Sequence, residues 1–291
     1  MITVTAPAKI NLTLEVLGKR GDGFHEIRSV IQTIDLCDNL HFTAGDRIEI
    51  KSDSPEWIAG QSLVSEAVAL MREATGFSGG GCIEIEKRVP LLSGLGGDSS
   101  EAAAVLKGLN QLWELDLSTE KLHELAARLG SDVPFFLTGG TALVEGRGEI
   151  VTPLSPFPAA SIVVAVPPVT RQPGKTTLLY QSLGAGHFTD GRITQRLVER
   201  LAAGEKYDPS LLFNTFENVA FDKFPGLSTA REHILKMGAD FIHLAGSGPA
   251  LFTLVEDKSA AEEMCSLLIR QQIEAYPAGT LADIEKPLWK R

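Results

Sequence analysis

The chain has 291 residues, 44% hydrophobic and 22% charged, a size and composition that suit two packed domains and exclude an intrinsically disordered protein. It carries 37 acidic against 27 basic residues, so the surface as a whole repels nucleic acid and anionic lipid, and an anionic ligand needs a local device to hold it. No run of about 18 apolar residues suits a membrane span, the N-terminus lacks the marks of a secretory signal, and Cys37, Cys82 and Cys265 show no disulfide or zinc spacing; a cytoplasmic protein without nucleic-acid, membrane or obligate protein partner is expected.

In chain order, residues 10–16 (Ile-Asn-Leu-Thr-Leu-Glu-Val) alternate apolar and polar and predict a strand with one buried face. Ser62 opens a helix carrying Val64, Ala67, Val68 and Met71, with Gly76 just beyond its end. Ile83, Ile85 and Val89 predict another strand. A helix beginning near Ser99 carries Ala103, Leu106, Leu109 and Trp113; the next starts at Ser118, repeats at Leu122, Leu125 and Leu129, and stops at Gly130. The proline-rich stretch 152–160 breaks regular structure and divides a domain of residues 1–155 from one of 156–291. The second should hold a strand at 162–166, helices within 192–203, 210–222, 226–237 and 258–273, and a hairpin at 240–255; residues 167–177 read as a loop over a cleft.

Between the second strand and the second helix lies Pro90-Leu91-Leu92-Ser93-Gly94-Leu95-Gly96-Gly97-Asp98-Ser99-Ser100. It has no lysine before a hydroxyl residue, so it is not the Gly-x-x-x-x-Gly-Lys-Ser/Thr phosphate loop, and Ser99 stands where a dinucleotide fingerprint needs its third glycine. Gly174-Lys175-Thr176 has the ending of the first motif without its opening glycine. Glycines at 94, 96 and 97 still let backbone N–H groups reach a ligand without Cβ obstruction, and the following helix offers its N-terminus and the hydroxyls of Ser99 and Ser100 to an anion. Taken alone, the stretch reads more simply as a strand-to-helix turn, with Asp98 as N-cap and Glu101 completing a capping box.

The run resembles the central motif of the GHMP kinases, the family of galactokinase, homoserine kinase, mevalonate kinase and phosphomevalonate kinase. Pro7-Ala8-Lys9-Ile10-Asn11-Leu12 and Gly246-Ser247-Gly248-Pro249 match that family's first and third motifs, in order, across nearly the whole chain. The resemblance implies a two-domain α/β (α+β) fold, with a ribosomal-protein-like N-terminal domain, a ferredoxin-like C-terminal domain and the site between them. It also implies ATP and Mg²⁺, with the nucleotide on Lys87 and residues 90–100, and with Gly246, Ser247 and Gly248 as a third glycine motif. Metal ligands stay unassigned.

Gly21-Asp22-Gly23-Phe24-His25, Gly130-Ser131-Asp132-Val133-Pro134 and Gly146-Arg147-Gly148-Glu149 further resemble the branch of that family whose substrate is a polyol joined to cytidine by a diphosphate. By that resemblance Lys9 and Asp132 are the catalytic pair, and Asn11, Phe24, His25 and Asp132 meet the acceptor. The chemistry is sound: an aromatic face stacks on a base, an imidazole bonds its polar edge, and an aspartate kept ionised by a lysine accepts a hydroxyl proton. On the residues alone, Phe24-His25 is a packed turn residue beside an exposed histidine, Asp132 caps a short helix, and Lys9 is a strand-end charge. Leu92 and Ser93 replace the small residues common before Gly94, and Asp98 stands where glycine is common, so its carboxylate must point away from bound phosphates or toward a metal. A homoserine or mevalonate type of GHMP kinase, or a non-catalytic nucleotide-binding protein on the same fold, are the alternatives.

Overall fold

The computed structural model describes residues 1–171 and 173–282. Its first part runs β1 (Ile2–Lys19), β2 (His25–Thr43), β3 (Ile48–Ser52), α1 (Leu63–Thr75), β4 (Gly81–Glu86), α2 (Gly97–Leu112), α3 (Thr119–Leu129), α4 (Val133–Thr138), β5 (Thr141–Gly146) and β6 (Ile150–Pro153). Its second part runs β7 (Ser161–Val166), α5 (Lys175–Ser182), α6 (Arg192–Ala202), β8 (Phe213–Asn214), α7 (Glu217–Lys223), α8 (Leu227–Lys236), β9 (His243–Leu244), β10 (Leu251–Val255), α9 (Lys258–Arg270) and β11 (Glu274–Gly279). One sheet has the order β3-β4-β2-β1-β8, with β5 also pairing β2 and carrying β6; the other has the order β11-β7-β10-β9.

The chain leaves the first sheet at Pro153 and enters the second at Ser161, across the proline-rich stretch expected to be a boundary. It comes back once: Phe213 and Asn214, expected inside a helix, instead run parallel to Thr13 and Leu14 of β1. Tertiary hydrogen bonds override local pattern there, because the Asn214 amide donates to the carbonyls of Leu244 and Gly246, each at 2.8 Å. Helix α5 begins at Lys175, inside the stretch expected to be a loop, directly after Gly174 at φ 77°. Gln172 of that stretch lies outside the described residues.

β1 is longer than the alternation at 10–16 suggested, and its polar side is not exposed. Ala8, Ile10 and Leu12 pack into a core shared with Ile162, Val164 and Phe252 of the second sheet. Asn11, Thr13 and Glu15 are buried on the opposite side. Burial of such groups is tolerable only with hydrogen-bond partners. The Thr13 hydroxyl accepts from the Val30 amide, Glu15 accepts from the Thr194 amide at the start of α6, and Asn11 donates to Ser29. No helix among the described residues is long and apolar enough to cross a membrane.

Helix α2 is the hub of the first part. It buries Ala102, Ala103, Ala104, Val105, Leu106 and Leu109 against β1, β2 and α1, and its closest approach is at Gly108, where a Cβ would fall 2.4 Å from two atoms of the fully buried Phe42 ring. Gly108→Ala gains up to about 1 kcal/mol of helix propensity and loses about 1–3 kcal/mol to overpacking. The expected result is a lower midpoint in urea unfolding; an equal or higher midpoint would show that the ring has room to move.

Candidate active site

A cleft of about 810 Å³ opens where the two sheets meet, and Lys9, Asn11, Phe24, His25, Gly94, Gly96, Gly97, Asp132, Gly246 and Ser247 all line it. Lys9 is central. It sits within β1 rather than at a strand end and is 4% exposed. Its ammonium donates to Asn11 Oδ1 at 2.8 Å and lies 3.9 Å from Asp132 Oδ2. Burial pushes the Lys9 pKa down, and the Asp132 charge opposes that. Asp132 holds the N-cap position of α4, yet its side chain makes no capping bond. The carboxylate is therefore 40% exposed and directed to Lys9 and the cleft.

The glycine-rich loop joins β4 to α2. Gly94 and Gly96 have φ of 90° and 77°, conformations that side chains resist. Their missing Cβ atoms clear space for protein: at Gly94 one would fall 2.2 Å from the Ala245 carbonyl oxygen, at Gly96 2.8 Å from the Phe136 ring and 3.2 Å from Lys9 Cγ, and at Gly97 3.1 Å from Val89. These glycines let the loop dock, through the Lys9 amide on the Leu95 carbonyl and the Ala250 amide on the Ser93 carbonyl. Gly246, Ser247 and Gly248 form the β9–β10 turn, and a Cβ at Gly246 would lie 2.7 Å from Gly94 O and 2.8 Å from Lys9 Nζ.

The capping box expected over Asp98 and Glu101 does not form. Helix α2 starts at Gly97 rather than near Ser99, and its N-cap is Gly96, without a side-chain bond. Asp98 reaches instead to the start of α1, accepting from Ser62 Oγ at 2.8 Å and the Leu63 amide at 3.0 Å. Glu101 is drawn to Lys87, whose ammonium lies 2.5 Å from Glu101 Oε1 and 2.6 Å from Asp38 Oδ2. Burial, with the Asp38 charge adding to it and Lys87 opposing, pushes the Glu101 pKa up to about 7. Lys87, read as a nucleotide contact, borders the cleft with its charge already matched by these two carboxylates. Ser100 Oγ is buried in the first turn of α2 without a hydrogen-bond partner, and Ser99 lines the cleft.

At the other end, residues 20–24 turn between β1 and β2, with the Phe24 amide on Asp22 Oδ1. Phe24 is 50% exposed, with the Arg147 guanidinium 5.0 Å from its ring centre. His25 is not a free surface histidine: it stacks on Tyr180 at 4.7 Å, and Tyr180 meets Phe216 edge-on. Burial lowers the His25 pKa, with Lys19 adding to the effect, so neutral imidazole is favoured. Sequence reasoning did not single out Tyr180, Phe216 or Asn214 as site residues. The first lies on a helix that begins inside the stretch read as loop, and the other two on a strand and cap read as helix. Lys175, which also lines the cleft, stood in plain view within Gly174-Lys175-Thr176, which lacks the opening glycine of the phosphate loop.

Residues 62–140 match the GHMP kinases N terminal domain and residues 196–272 the GHMP kinases C terminal model, so fold and cleft are those of a GHMP-type kinase. A 4-diphosphocytidyl-2-C-methyl-D-erythritol kinase of Dehalococcoides mccartyi is 50% identical over 285 residues, spanning 98% of this chain and 100% of that protein. One of Gloeobacter violaceus is 38% identical over 92% of this chain and 90% of its own. A crystal structure of 4-(cytidine 5'-diphospho)-2C-methyl-D-erythritol kinase superposes with a TM-score of 0.81 at 34% identity, covering 96% of this chain and 99% of that one. A homoserine kinase of Cytophaga hutchinsonii shares the fold, at a TM-score of 0.69 and 21% identity over 97% of this chain and 95% of that one. The chain belongs to the 4-diphosphocytidyl-2-C-methyl-D-erythritol kinase family of the GHMP kinases.

The docking of the loop yields a direct test. Gly94→Ala must displace the Ala245 carbonyl or the Gly248 backbone, whereas Gly184→Ala meets nothing within 4 Å. The first should weaken binding of an ATP analogue at least tenfold and the second should leave it unchanged, as read by titration. Equal affinities would disconnect this seam from nucleotide binding.

Proposed function

We propose that this protein transfers the γ-phosphoryl group of ATP to the 2-hydroxyl of 4-diphosphocytidyl-2-C-methyl-D-erythritol, giving the 2-phosphate and ADP. The carrying observation is the Lys9–Asp132 pair, 3.9 Å apart, set between the glycine-rich loop and the aromatic end of the cleft. In this reading the cytidine end lies against Phe24 and His25, where an aromatic face and an imidazole edge suit a pyrimidine. The nucleotide phosphates lie over the glycine-rich loop, supported by the start of α2 and by Ser99, which lines the cleft.

Asp132 accepts the proton of the 2-hydroxyl as that oxygen bonds to the γ-phosphorus and the bridge to the β-phosphate breaks; the proton then passes to solvent. Its open carboxylate, unused as a helix cap, is suited to this. Lys9, 3.9 Å from Asp132, offsets phosphoryl charge in a reaction that is mainly positioning and charge neutralisation. Asn11 fixes the lysine through a chain that continues to Ser29. Among the described residues no cluster of three or more His, Cys, Asp or Glu is arranged to hold a metal. That donor set fits Mg²⁺ arriving with the nucleotide, since Mg²⁺ keeps several waters and takes phosphates with one or two protein groups. Ser99, which lines the cleft at the start of α2, is the protein group that would serve it, and the bound ion would neutralise phosphate charge. We place this reaction in the cytoplasm.

Purified protein with ATP, Mg²⁺ and the cytidyl substrate should yield ADP and singly phosphorylated product in equal amounts, and neither homoserine nor mevalonate should replace the acceptor. Turnover of those two in its stead would overturn the substrate assignment. Asp132→Asn should lower kcat by roughly 10²–10⁴-fold with both substrates still bound, and a loss of only a few-fold would return Asp132 to a structural role. Phe24→Ala should raise KM for the cytidyl substrate by about tenfold or more, since stacking on a base is worth about 1–3 kcal/mol; an equal rise in KM for ATP would remove Phe24 from the cytidine end.

A further inference from the structure

Lys175 opens α5 on the wall of the cleft that belongs to the second part of the chain, and it is 7% exposed. Its ammonium donates to the carbonyl of Gly248, in the same turn where Ser247 Oγ meets Thr176 Oγ1 at 2.8 Å. The charged groups that face it are Lys9 of β1 and Arg171 of the segment before α5, both of them cations. Arg171 is turned to Glu274 and lies 3.5 Å from the Leu91 carbonyl. Of the carboxylates that line the cleft, Asp132 is engaged with Lys9 and Asp98 with Ser62 and the Leu63 amide, and Glu56 makes no ion pair with Lys175. Among the described residues no carboxylate lies within ion-pair distance of Lys175. A buried ammonium facing two cations is costly to keep; among the described residues its hydrogen bond is to the Gly248 carbonyl, which leaves further donors for a ligand.

We propose that Lys175 is a phosphate-binding residue, which closes on a phosphoryl oxygen from the wall opposite Lys9. The inference rests on the kinase reading above, and it goes beyond the motifs that define the family. The shared chemistry is a phosphate anion, supplied either by the nucleotide or by the diphosphate of the acceptor. Burial, with Lys9 and Arg171 adding, lowers the Lys175 pKa to about 7. Above that pH the free side chain is mostly neutral, and an arriving phosphate raises the pKa again, so binding draws in a proton.

The test is calorimetric titration at pH 8 in two buffers of different ionisation enthalpy. The ligands are a non-hydrolysable ATP analogue with Mg²⁺ and, separately, CDP; the proteins are the parent, Lys175→Met and Lys175→Arg. For one of the two ligands the parent should take up at least half a proton more than Lys175→Met and bind at least tenfold tighter, while the other ligand stays within threefold; that ligand is the source of the phosphate. Lys175→Arg, permanently charged, should keep more affinity than Lys175→Met without the extra proton. Lys175→Met gives up the bond to the Gly248 carbonyl, so its unfolding midpoint is measured beside the parent's; if it fails to fold, the proton count of Lys175→Arg decides. Unchanged affinity and proton uptake for both ligands in the variants would overturn the role of Lys175 while leaving the kinase reading intact. Absence of binding of either ligand to the parent would remove both.

Discussion

The close approach of three backbones around Lys9 sets everything else in the cleft. Strand β1 supplies the lysine, the loop before α2 docks on it through Leu95, and the β9–β10 turn closes from the other side, with Gly246 packed on both Lys9 and Gly94. Side chains at Gly94 or Gly246 would force these segments apart. The family's three motifs are thus one object in space, and their spacing along the chain reflects only how long the fold takes to return. The Asn214 amide, bonded to two carbonyls of the third segment, ties that object to β1 through the short parallel pairing of β8.

This construction concentrates positive charge where an acidic chain can use it. The protein carries a formal net charge of −10, yet Lys9 and Lys175 are buried at the cleft, and both titrate below the ordinary lysine range because burial penalises their charged forms. Lys87 goes the other way: the charges of Glu101 and Asp38 outweigh burial and raise its pKa. One buried lysine is therefore matched by the fold as a strut beneath the loop. The other two lack such a surplus of carboxylates, and a polyphosphate would favour their charged forms in a low-dielectric setting where such contacts are strong.

Legibility in the sequence followed the range of the interaction. Helices α1, α3, α6, α8 and α9 were readable because their apolar repeats and caps are local, Ser62, Ser118 and Gly76 among them. Most of the 19-residue β2 was not, since it pairs with β1, β4 and β5 in turn and its burial comes from distant partners. The two members of the Lys9–Asp132 pair were visible only because their motifs are distinctive, for nothing in periodicity brings residue 9 to residue 132. Tyr180 and Asn214 had neither local pattern nor motif. Their roles exist only once α5 and β8 are seated.

Asp98 shows how a departure from the motif can be absorbed by the fold. A carboxylate in the first turn of α2 would repel phosphates if it turned toward them, and no metal cluster among the described residues claims it. It turns instead to Ser62 and the Leu63 amide, supplying an acceptor to the start of α1, where a helix has free N–H groups. The same bonds hold the segment before α1 over the loop: Trp57 donates to Glu101, Glu101 holds Lys87, and Trp57, Ile58 and Leu92 form an apolar rim at this end of the cleft. Leu92, at φ 52° and 47% exposed, occupies a conformation that glycine would adopt at less cost, and its exposed side chain is part of that rim. Asp98 thus anchors the start of α1 with its carboxylate already bonded, and the phosphate end of the cleft keeps its shape without glycine at that position.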